Sequence, residues 1–244
     1  MSSLPTPSLD VSSLPTPMLD VTSLPPPSFA RGRAFGSLAI LAALVASLAA
    51  APDARAGAQV EEQLSASVVM GLQHAIADFP VPADYASHPD VHAWIAAISP
   101  RIAKEMPDAG MRDDFLATVH YEATRAGLAP RLVLGVIRHE SYFRKYAIST
   151  AGARGYMQVM PFWVKQIGSN GQDLFQLRTN LRYGCTILRY YLDAEKGNLF
   201  RALGRYNGSL GQADYPNAVV AAERLYTVAP TGEAALQSAA TRVN

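Results

Sequence analysis

The sequence predicts a mainly α-helical protein with at most a very small β element. Apolar residues recur at intervals of three or four along most of the chain, as they do on one face of a helix. Few segments alternate polar and apolar residues with the period of two that is typical of strands. The expected architecture is therefore a set of short helices packed around one core.

The first 56 residues carry features that do not belong to a packed core. Residues 1–30 contain a decamer repeat rich in Pro and Ser, and we expect this segment to be disordered. Residues 31–56 combine basic residues, an apolar run at 37–51 and the small-residue site Ala54-Arg55-Ala56. These are the three parts of a signal peptide, with cleavage expected after Ala56. Because the repeat precedes this signal, Met18 or a later residue is a second candidate for the start.

The charge and the cysteine content of the chain limit which binding partners and which cellular compartment we expect. The chain has 21 Lys and Arg against 20 Asp and Glu, and a net charge of +1 does not favour nucleic acid as a partner. The single cysteine, Cys185, lies far from the expected cleavage site, so the protein is not predicted to be a lipoprotein. We expect export to the periplasm. A retained anchor is the alternative, although residues 37–51 are fewer than the roughly 20 that a spanning helix needs.

The helices of the remaining chain are predicted from periodic segments bounded by Pro and Gly. Pro130 and Pro161 stand where a first helical turn accepts proline, and Gly127 and Gly197 stand just past the last turn of a helix. In order, the predicted helices lie within residues 57–77, 91–103, 111–126, 130–140, 161–168, 180–195, 199–206 and 216–226. The tail at 230–244 is expected to be loose.

One carboxylate lies at the end of an apolar helix face. Leu132, Val133, Val136 and Ile137 form the apolar stripe, and Glu140 follows on the same face. Burial there raises the pKa of a carboxyl group, and the negative end of the helix acts in the same direction. A carboxylic acid kept protonated near neutral pH can serve as a general acid. The alternative is a carboxylate at the rim of the core, with its oxygens in solvent.

Three segments with a specific order and spacing surround this glutamate. They are Glu140-Ser141, the run STAGARGYMQVMP at 149–161, and Tyr206-Asn207. In this order, residues from about 111 to 225 resemble the soluble lytic transglycosylase family. The resemblance implies a compact lysozyme-like helical domain with a substrate groove at 108–229. Residues 57–107 would form a helical N-terminal extension, either a cap on the domain or a contact surface for a cell-wall assembly or secretion-complex partner.

The resemblance also implies a reaction. The family cleaves the β-1,4 bond between N-acetylmuramic acid and N-acetylglucosamine in peptidoglycan glycan strands. One Glu, here Glu140, acts first as acid and then as base, and the product is a 1,6-anhydro sugar. Most glycosidases instead use two carboxylates. Between Glu140 and Tyr183 the only other acid is Asp173, and nothing in the sequence places it opposite Glu140.

The same resemblance implies a set of substrate contacts. Ser149 and Gln158 would bind sugar substituents, and Tyr206 would lie close to the reacting centre. For the methionines of the motif, core packing is the alternative to an apolar groove wall. The full predicted set is Ser149, Gln158, Tyr206, Asn207, Met157, Met160 and Tyr156.

Other residues refine or limit the prediction. His139 is expected on the surface, turned away from Glu140. The histidines show no metal-ligand spacing, so we expect no metal and no cofactor. The family usually has Ala-Tyr-Asn-Ala-Gly where this chain has RYNGS at 205–209, so the glycan length that the family prefers is not carried over to this chain. Two alternatives stay open: a lysozyme-type hydrolase of the same fold, and a non-catalytic peptidoglycan-binding assembly protein.

Overall fold

The computed structural model describes residues 59–169 and 171–228, which all fall within one compact unit, Asp53–Asn244. The predicted disordered repeat, the signal peptide and the C-terminal tail lie outside the described residues. Within the described part, the protein is helical and has no strand beyond two isolated β-bridges, Ile148 to Arg154 and Arg154 to Val159. The predicted fold class is therefore confirmed.

Eight α-helices run through the described residues, and each predicted helical segment overlaps one of them. They are α1 (Ala66–Ala75), α2 (Pro89–Ile98), α3 (Ala109–Arg125), α4 (Pro130–Glu140), α5 (Phe162–Ile167), α6 (Leu177–Ala194), α7 (Leu199–Asn207) and α8 (Asp214–Arg224). Short 3₁₀ segments occur at Tyr85–Ser87 and Ser99–Ile102. The second contains Pro100, which explains why the segment predicted at 91–103 is α-helical only as far as Ile98.

Local hydrogen bonds explain where several helices begin. The side chain of Asp108 accepts from the backbone N–H of Met111 at 2.8 Å at the start of α3. The side chain of Asn198 accepts from the N–H of Arg201 at 3.1 Å at the start of α7. Pro130 occupies the first turn of α4, as predicted. Pro130 and Asn198 thus define where α4 and α7 begin, and these two helices carry Glu140 and Asn207.

Helix α4 crosses the centre of the core and packs closely against α8. Its apolar residues from Leu132 to Ile137 are buried, as the predicted stripe required. At Gly135 the two helices approach so closely that an added Cβ would lie 2.9 Å from the carbonyl oxygen of Val219. A larger residue would push the helices apart. The close approach brings the beginning of α8 beside the end of α4, where Glu140 lies.

The N-terminal helices share the core of the later ones. Helix α1 packs against α5 and α6, and α2 packs against α3. Leu72 and Ile95 belong to the same buried cluster as the apolar residues of α4. The boundary proposed at residue 107 stays a prediction. Among residues 59–169 and 171–228, no helix is both long and apolar enough to cross a membrane.

Candidate functional site

A polar cleft of about 480 Å³ contains Glu140. The end of α4, the loop between α4 and α5, the end of α7 and the beginning of α8 all contribute to its lining. The lining residues are His139, Glu140, Ser149, Gln158, Asn207, Ser209, Gln212, Asp214, Tyr215 and Ala218. A larger cavity of about 570 Å³ lies beside α1 and α6, but it contains none of the residues predicted for the site. The cleft is therefore the candidate site.

Glu140 is the last residue of α4, and its side chain is partly buried at the cleft. Its Oε1 accepts a hydrogen bond of 2.6 Å from the hydroxyl of Tyr215. Burial raises the pKa of Glu140 from 4.5 to about 7, while Tyr215 and, more weakly, the side chain of Asn207 act to lower it. The rise agrees with the expectation from the helix pattern. Near neutral pH, Glu140 can therefore both give and accept a proton.

Tyr215 is the partner of Glu140 in this site, and the sequence analysis missed it. It lies in the first turn of α8 and is 4% exposed. Burial, reinforced by the neighbouring Glu140, raises the pKa of Tyr215 well above its usual value, so its hydroxyl stays protonated and donates to Glu140. The sequence contains no signal for this contact, because it depends on the close packing of α4 and α8 at Gly135.

His139 lies closer to the site than its helical angle predicted. Its side chain is exposed, as expected, but it lines the cleft. Its ring packs edge-on against Tyr215, with ring centroids 4.8 Å apart at an interplanar angle of 80°. His139 therefore supports the ring whose hydroxyl bonds to Glu140.

Asp214 brings a second carboxylate to the lining of the cleft. It is exposed and opens α8, directly before Tyr215. The sequence analysis considered only the acids between Glu140 and Tyr183, and Asp214 lies beyond that interval. A carboxylate in this position bears on the choice between a one-acid and a two-acid mechanism.

Ser149 and Gln158 lie on the loop between α4 and α5, and both line the cleft. The hydroxyl oxygen of Ser149 accepts from the N–H of Ala153 at 3.1 Å, so its own O–H is left to face the cleft. The backbone of Gln158 is left-handed, with φ of 49°. Its Nε2 donates to the carbonyls of Ala147 (3.1 Å) and Gly155 (2.8 Å), which leaves Oε1 for a ligand.

The remaining predicted contacts divide between the cleft and the core behind it. Asn207 lines the cleft. Met157 and Tyr206 are fully buried, and the hydroxyl of Tyr206 donates to the carbonyl of Met157 at 2.7 Å. Tyr156 packs against Phe115, and Met160 packs partly buried against the core. Tyr206 and Met157 therefore pack behind the loop between α4 and α5, which we call the cleft loop. Direct sugar contacts by Met157, Tyr206, Tyr156 and Met160 stay a prediction.

Asn180 of α6 anchors the cleft loop from inside the core. It is fully buried, and its Nδ2 donates to the carbonyls of Arg154 and Leu174, each at 2.8 Å. Its Oδ1 accepts from the N–H of Met157 at 2.8 Å. Gly155 has φ of 75°, and an added Cβ there would lie 2.4 Å from Nδ2 of Asn180. Glycine at 155 is therefore required both by backbone conformation and by this close contact.

Replacing Asn180 by Ala is expected to lower the free energy of unfolding by about 2–4 kcal/mol, because two buried backbone groups and one partly buried group lose their partner. Chemical denaturation of the variant and the wild type measures the difference. Asn198→Ala removes a single exposed helix cap and is the matched control, with an expected loss of about 1 kcal/mol. Equal losses in the two variants would contradict the anchoring role of Asn180.

The described residues contain no group of three or more His, Cys, Asp or Glu side chains positioned to hold a metal ion. The chemistry available in the cleft comes from a carboxylic acid of raised pKa, a protonated phenol and several amide and hydroxyl groups. A helical protein with such a cleft has the site of a general acid–base catalyst.

Comparison with known proteins shows what the part of the chain that carries this site is similar to. Residues 117–223, which include Glu140, Ser149, Gln158 and Tyr215, match the family model described as the transglycosylase SLT domain. The resemblance seen in the motifs of the chain is therefore confirmed over these residues.

Individual relatives match this chain over shorter stretches. The transglycosylase of Enterobacteria phage PRD1 is 36% identical over 99 residues, which are 40% of this chain and 36% of that protein. Membrane-bound lytic murein transglycosylase C of Mannheimia succiniciproducens is 39% identical over 64 residues, which are 26% of this chain and 16% of that protein. This chain thus spans only a minor part of the length of either relative.

A solved structure is also similar to this chain. It is that of an inactive mutant of lytic transglycosylase Slt from Pseudomonas aeruginosa, and the match covers 75% of this chain and 37% of that chain. The sequence identity is 19% and the TM-score is 0.37.

Proposed function

We propose that this protein is a peptidoglycan lytic transglycosylase. It cleaves the β-1,4 bond between N-acetylmuramic acid and N-acetylglucosamine and leaves a 1,6-anhydro-N-acetylmuramic acid end. The observation that carries the proposal is Glu140, a carboxylic acid with a pKa of about 7 in a polar cleft of the SLT domain. The names of the relatives, a phage transglycosylase and lytic murein transglycosylases, support the same substrate class.

Glu140 would carry out both proton transfers. The protonated acid gives its proton to the glycosidic oxygen, and the N-acetylglucosamine part leaves with a free 4-hydroxyl. The acetamido oxygen of the muramoyl sugar stabilises the positive charge at C1, which is the substrate-assisted exception to two-carboxylate catalysis. The Glu140 carboxylate then removes the proton of the C6 hydroxyl, whose oxygen attacks C1. No water is consumed, and Glu140 ends protonated.

The site fits a group that must change protonation state twice. Tyr215 stays protonated and can donate to Glu140 in either state, because its hydroxyl is 2.6 Å from Oε1. A pKa of about 7 leaves comparable populations of acid and base near neutral pH, which suits a residue with both roles. Ser149, Oε1 of Gln158 and Asn207 supply polar groups to orient the sugars along the cleft.

The second candidate is a hydrolase with two carboxylates, and Asp214 is the observation that favours it. In that mechanism Asp214 would activate water or act as a nucleophile. Because Asp214 is exposed, Asp214→Asn should not disturb the fold. The transglycosylase proposal predicts that this variant releases soluble muropeptides from sacculi within about threefold of the wild-type rate, since general acid–base catalysis resides in Glu140 alone. A loss of about 10² or more would favour the hydrolase.

The proposed setting is the cell envelope. Peptidoglycan glycan strands are the proposed substrate, and the predicted signal peptide with cleavage after Ala56 would deliver the protein to the periplasm without a lipid anchor. A cell-wall assembly or secretion-complex partner for residues 57–107 is part of the same proposal. For a non-catalytic assembly protein, Glu140→Gln would leave the biological effect of the protein intact. The transglycosylase proposal predicts the loss of that effect.

A further inference from the structure

Gln59 is a buried polar residue of the N-terminal extension for which the proposed reaction gives no role. It is 5% exposed, and it lies in a segment without regular secondary structure before α1. Burying an amide is costly unless its hydrogen-bonding groups find partners. Its partners therefore indicate what the residue does.

The amide of Gln59 bonds to the junction between the cleft loop and α5. Its Oε1 accepts from the backbone N–H of Met160 and from the indole N–H of Trp163, each at 3.1 Å. Its Nε2 donates to the carbonyl of Gln158 at 3.3 Å. One side chain thus holds the backbone on both sides of Val159, roughly a hundred positions further along the chain.

These contacts reach the residues that form the cleft. Gln158 lines the cleft and has a left-handed backbone, a conformation that costs about 1–3 kcal/mol in a non-glycine residue unless its surroundings impose it. Gln59 also contacts the hydroxyl of Tyr206. Burial raises the pKa of that hydroxyl well above its usual value, and the Gln59 contact acts to lower it. Tyr206 directly precedes Asn207 of the cleft.

Glu62, which follows Gln59 by three positions, contacts both α5 and α7. The backbone carbonyl of Glu62 accepts from Nε2 of Gln166 in α5 at 3.1 Å. The carboxylate of Glu62 pairs with Arg205 of α7 at 3.0 Å. We call residues 59–62 the N-terminal strap. It joins the cleft loop and α5 on one side of the site to α7 on the other.

We propose that Gln59 is a positioning residue for the substrate cleft, which sets the orientation of Gln158 and of Tyr206-Asn207. The inference rests on the proposed function, because the ligand used to test it is a glycan. The catalytic unit would then begin at Gln59 rather than near residue 108. The predicted mature chain would begin two residues before Gln59, so signal cleavage would leave the strap intact.

Binding of the β-1,4-linked hexamer of N-acetylglucosamine to the full chain tests the proposal. All variants are made in the Glu140→Gln protein, which we call the parent, so that the ligand is not cleaved. Isothermal titration calorimetry gives the dissociation constant and the stoichiometry separately. Gln59→Met keeps the length of the side chain and removes all its hydrogen bonds. Gln59→Glu keeps an acceptor oxygen for Met160 and Trp163. Gln63→Met is the matched control, because it makes the same substitution at an exposed residue outside the strap.

Gln59→Met is expected to raise the dissociation constant about tenfold, in line with the loss of buried hydrogen bonds that hold the cleft wall. Gln59→Glu should recover affinity to within about threefold of the parent, and Gln63→Met should leave it unchanged. A merely structural role would lower the stoichiometry and the melting temperature without changing the dissociation constant, since calorimetry reports the affinity of the folded fraction.

An unchanged dissociation constant in Gln59→Met would overturn the positioning role, as would a Gln59→Glu variant that binds as weakly as Gln59→Met. Failure of the proposed function gives a different pattern. If the parent binds the hexamer but wild type releases nothing from sacculi, the proposed reaction fails and the role of Gln59 in shaping the cleft stands. A parent that binds no hexamer would overturn the substrate class and this inference together.

Discussion

Replacement of Glu140 by Gln is expected to lower the rate of muropeptide release from sacculi by a factor of about 10³, within the range that general acid–base catalysis contributes. Gln keeps the shape of the side chain and can still accept the hydrogen bond from Tyr215, but it can neither give nor remove a proton. Binding of an oligosaccharide should persist, because the other cleft residues are unchanged. Rates from purified sacculi, with calorimetric binding as the companion measurement, check this result.

The pH dependence of the stability of Glu140→Gln tests whether the pKa of Glu140 is raised. Folding raises the pKa of Glu140 from 4.5 to about 7, so the wild type loses stability as the pH rises through this interval. Gln carries no charge and has no such loss. The difference in unfolding free energy between the variant and the wild type near pH 4 is the reference. Above pH 7, this difference should shift in favour of the variant by up to about 3 kcal/mol. If the difference in unfolding free energy between the two proteins does not change with pH, the pKa of Glu140 is not raised.

Replacement of Tyr215 by Phe is expected to lower the rate about 10–100-fold and to change its pH dependence. The hydroxyl of Tyr215 lowers the pKa of Glu140 by stabilising the carboxylate, against the larger effect of burial. Without it, the pKa of Glu140 should rise above about 7. The alkaline limb of the kcat/KM profile reports the pKa of the essential acid in the free enzyme, so this limb should move to higher pH.

Tyr226→Phe is the matched control for this prediction. Tyr226 is also buried, and its hydroxyl accepts from Nη1 of Arg138, 3.4 Å away, on the same helix as Glu140. Removing that hydroxyl should affect stability without moving the pH profile. A Tyr215→Phe variant whose alkaline limb coincides with that of the wild type would show that the hydroxyl does not act on Glu140.

The helices and the position of Glu140 could be predicted from the sequence because both depend on local spacing. The period of the apolar residues defined α3 and α4 to within a few residues at their ends. Glu140 falls on the buried face of α4 because it follows Val136 by four positions, and this relation holds in any structure that buries that face. The sequence analysis allowed at most a very small β element, and the structure has two isolated β-bridges within residues 148–159.

The partners of Glu140 could not be predicted in the same way, because they come from distant parts of the chain. Tyr215 lies 75 positions after Glu140 and reaches it only because α8 packs closely against α4 at Gly135. Asn180 anchors the cleft loop from α6 by hydrogen bonds to backbone groups, which leave no pattern in the sequence. Long-range contacts of this kind depend on packing geometry rather than on residue spacing.

The motif residues illustrate a second limit. A motif identifies Met157 and Tyr206 together with Ser149 and Gln158, but it does not say which side chains face the cleft. In the structure, the hydroxyl of Tyr206 bonds to the carbonyl of Met157 inside the core, whereas Ser149 and Gln158 line the cleft. A residue can be essential to a motif because it positions the backbone of another.

The chemical form of the released sugar ends tests the central claim most directly. Sacculi digested with the full chain and analysed by mass spectrometry should yield muropeptides that end in 1,6-anhydro-N-acetylmuramic acid, each lighter by one water molecule than its reducing counterpart. The same digestion in ¹⁸O-labelled water should incorporate no label at the new ends, because O6 of the muramoyl sugar is the attacking atom. Reducing ends that carry solvent oxygen, formed at a rate that Glu140→Gln abolishes, would contradict the account and identify the protein as a hydrolase.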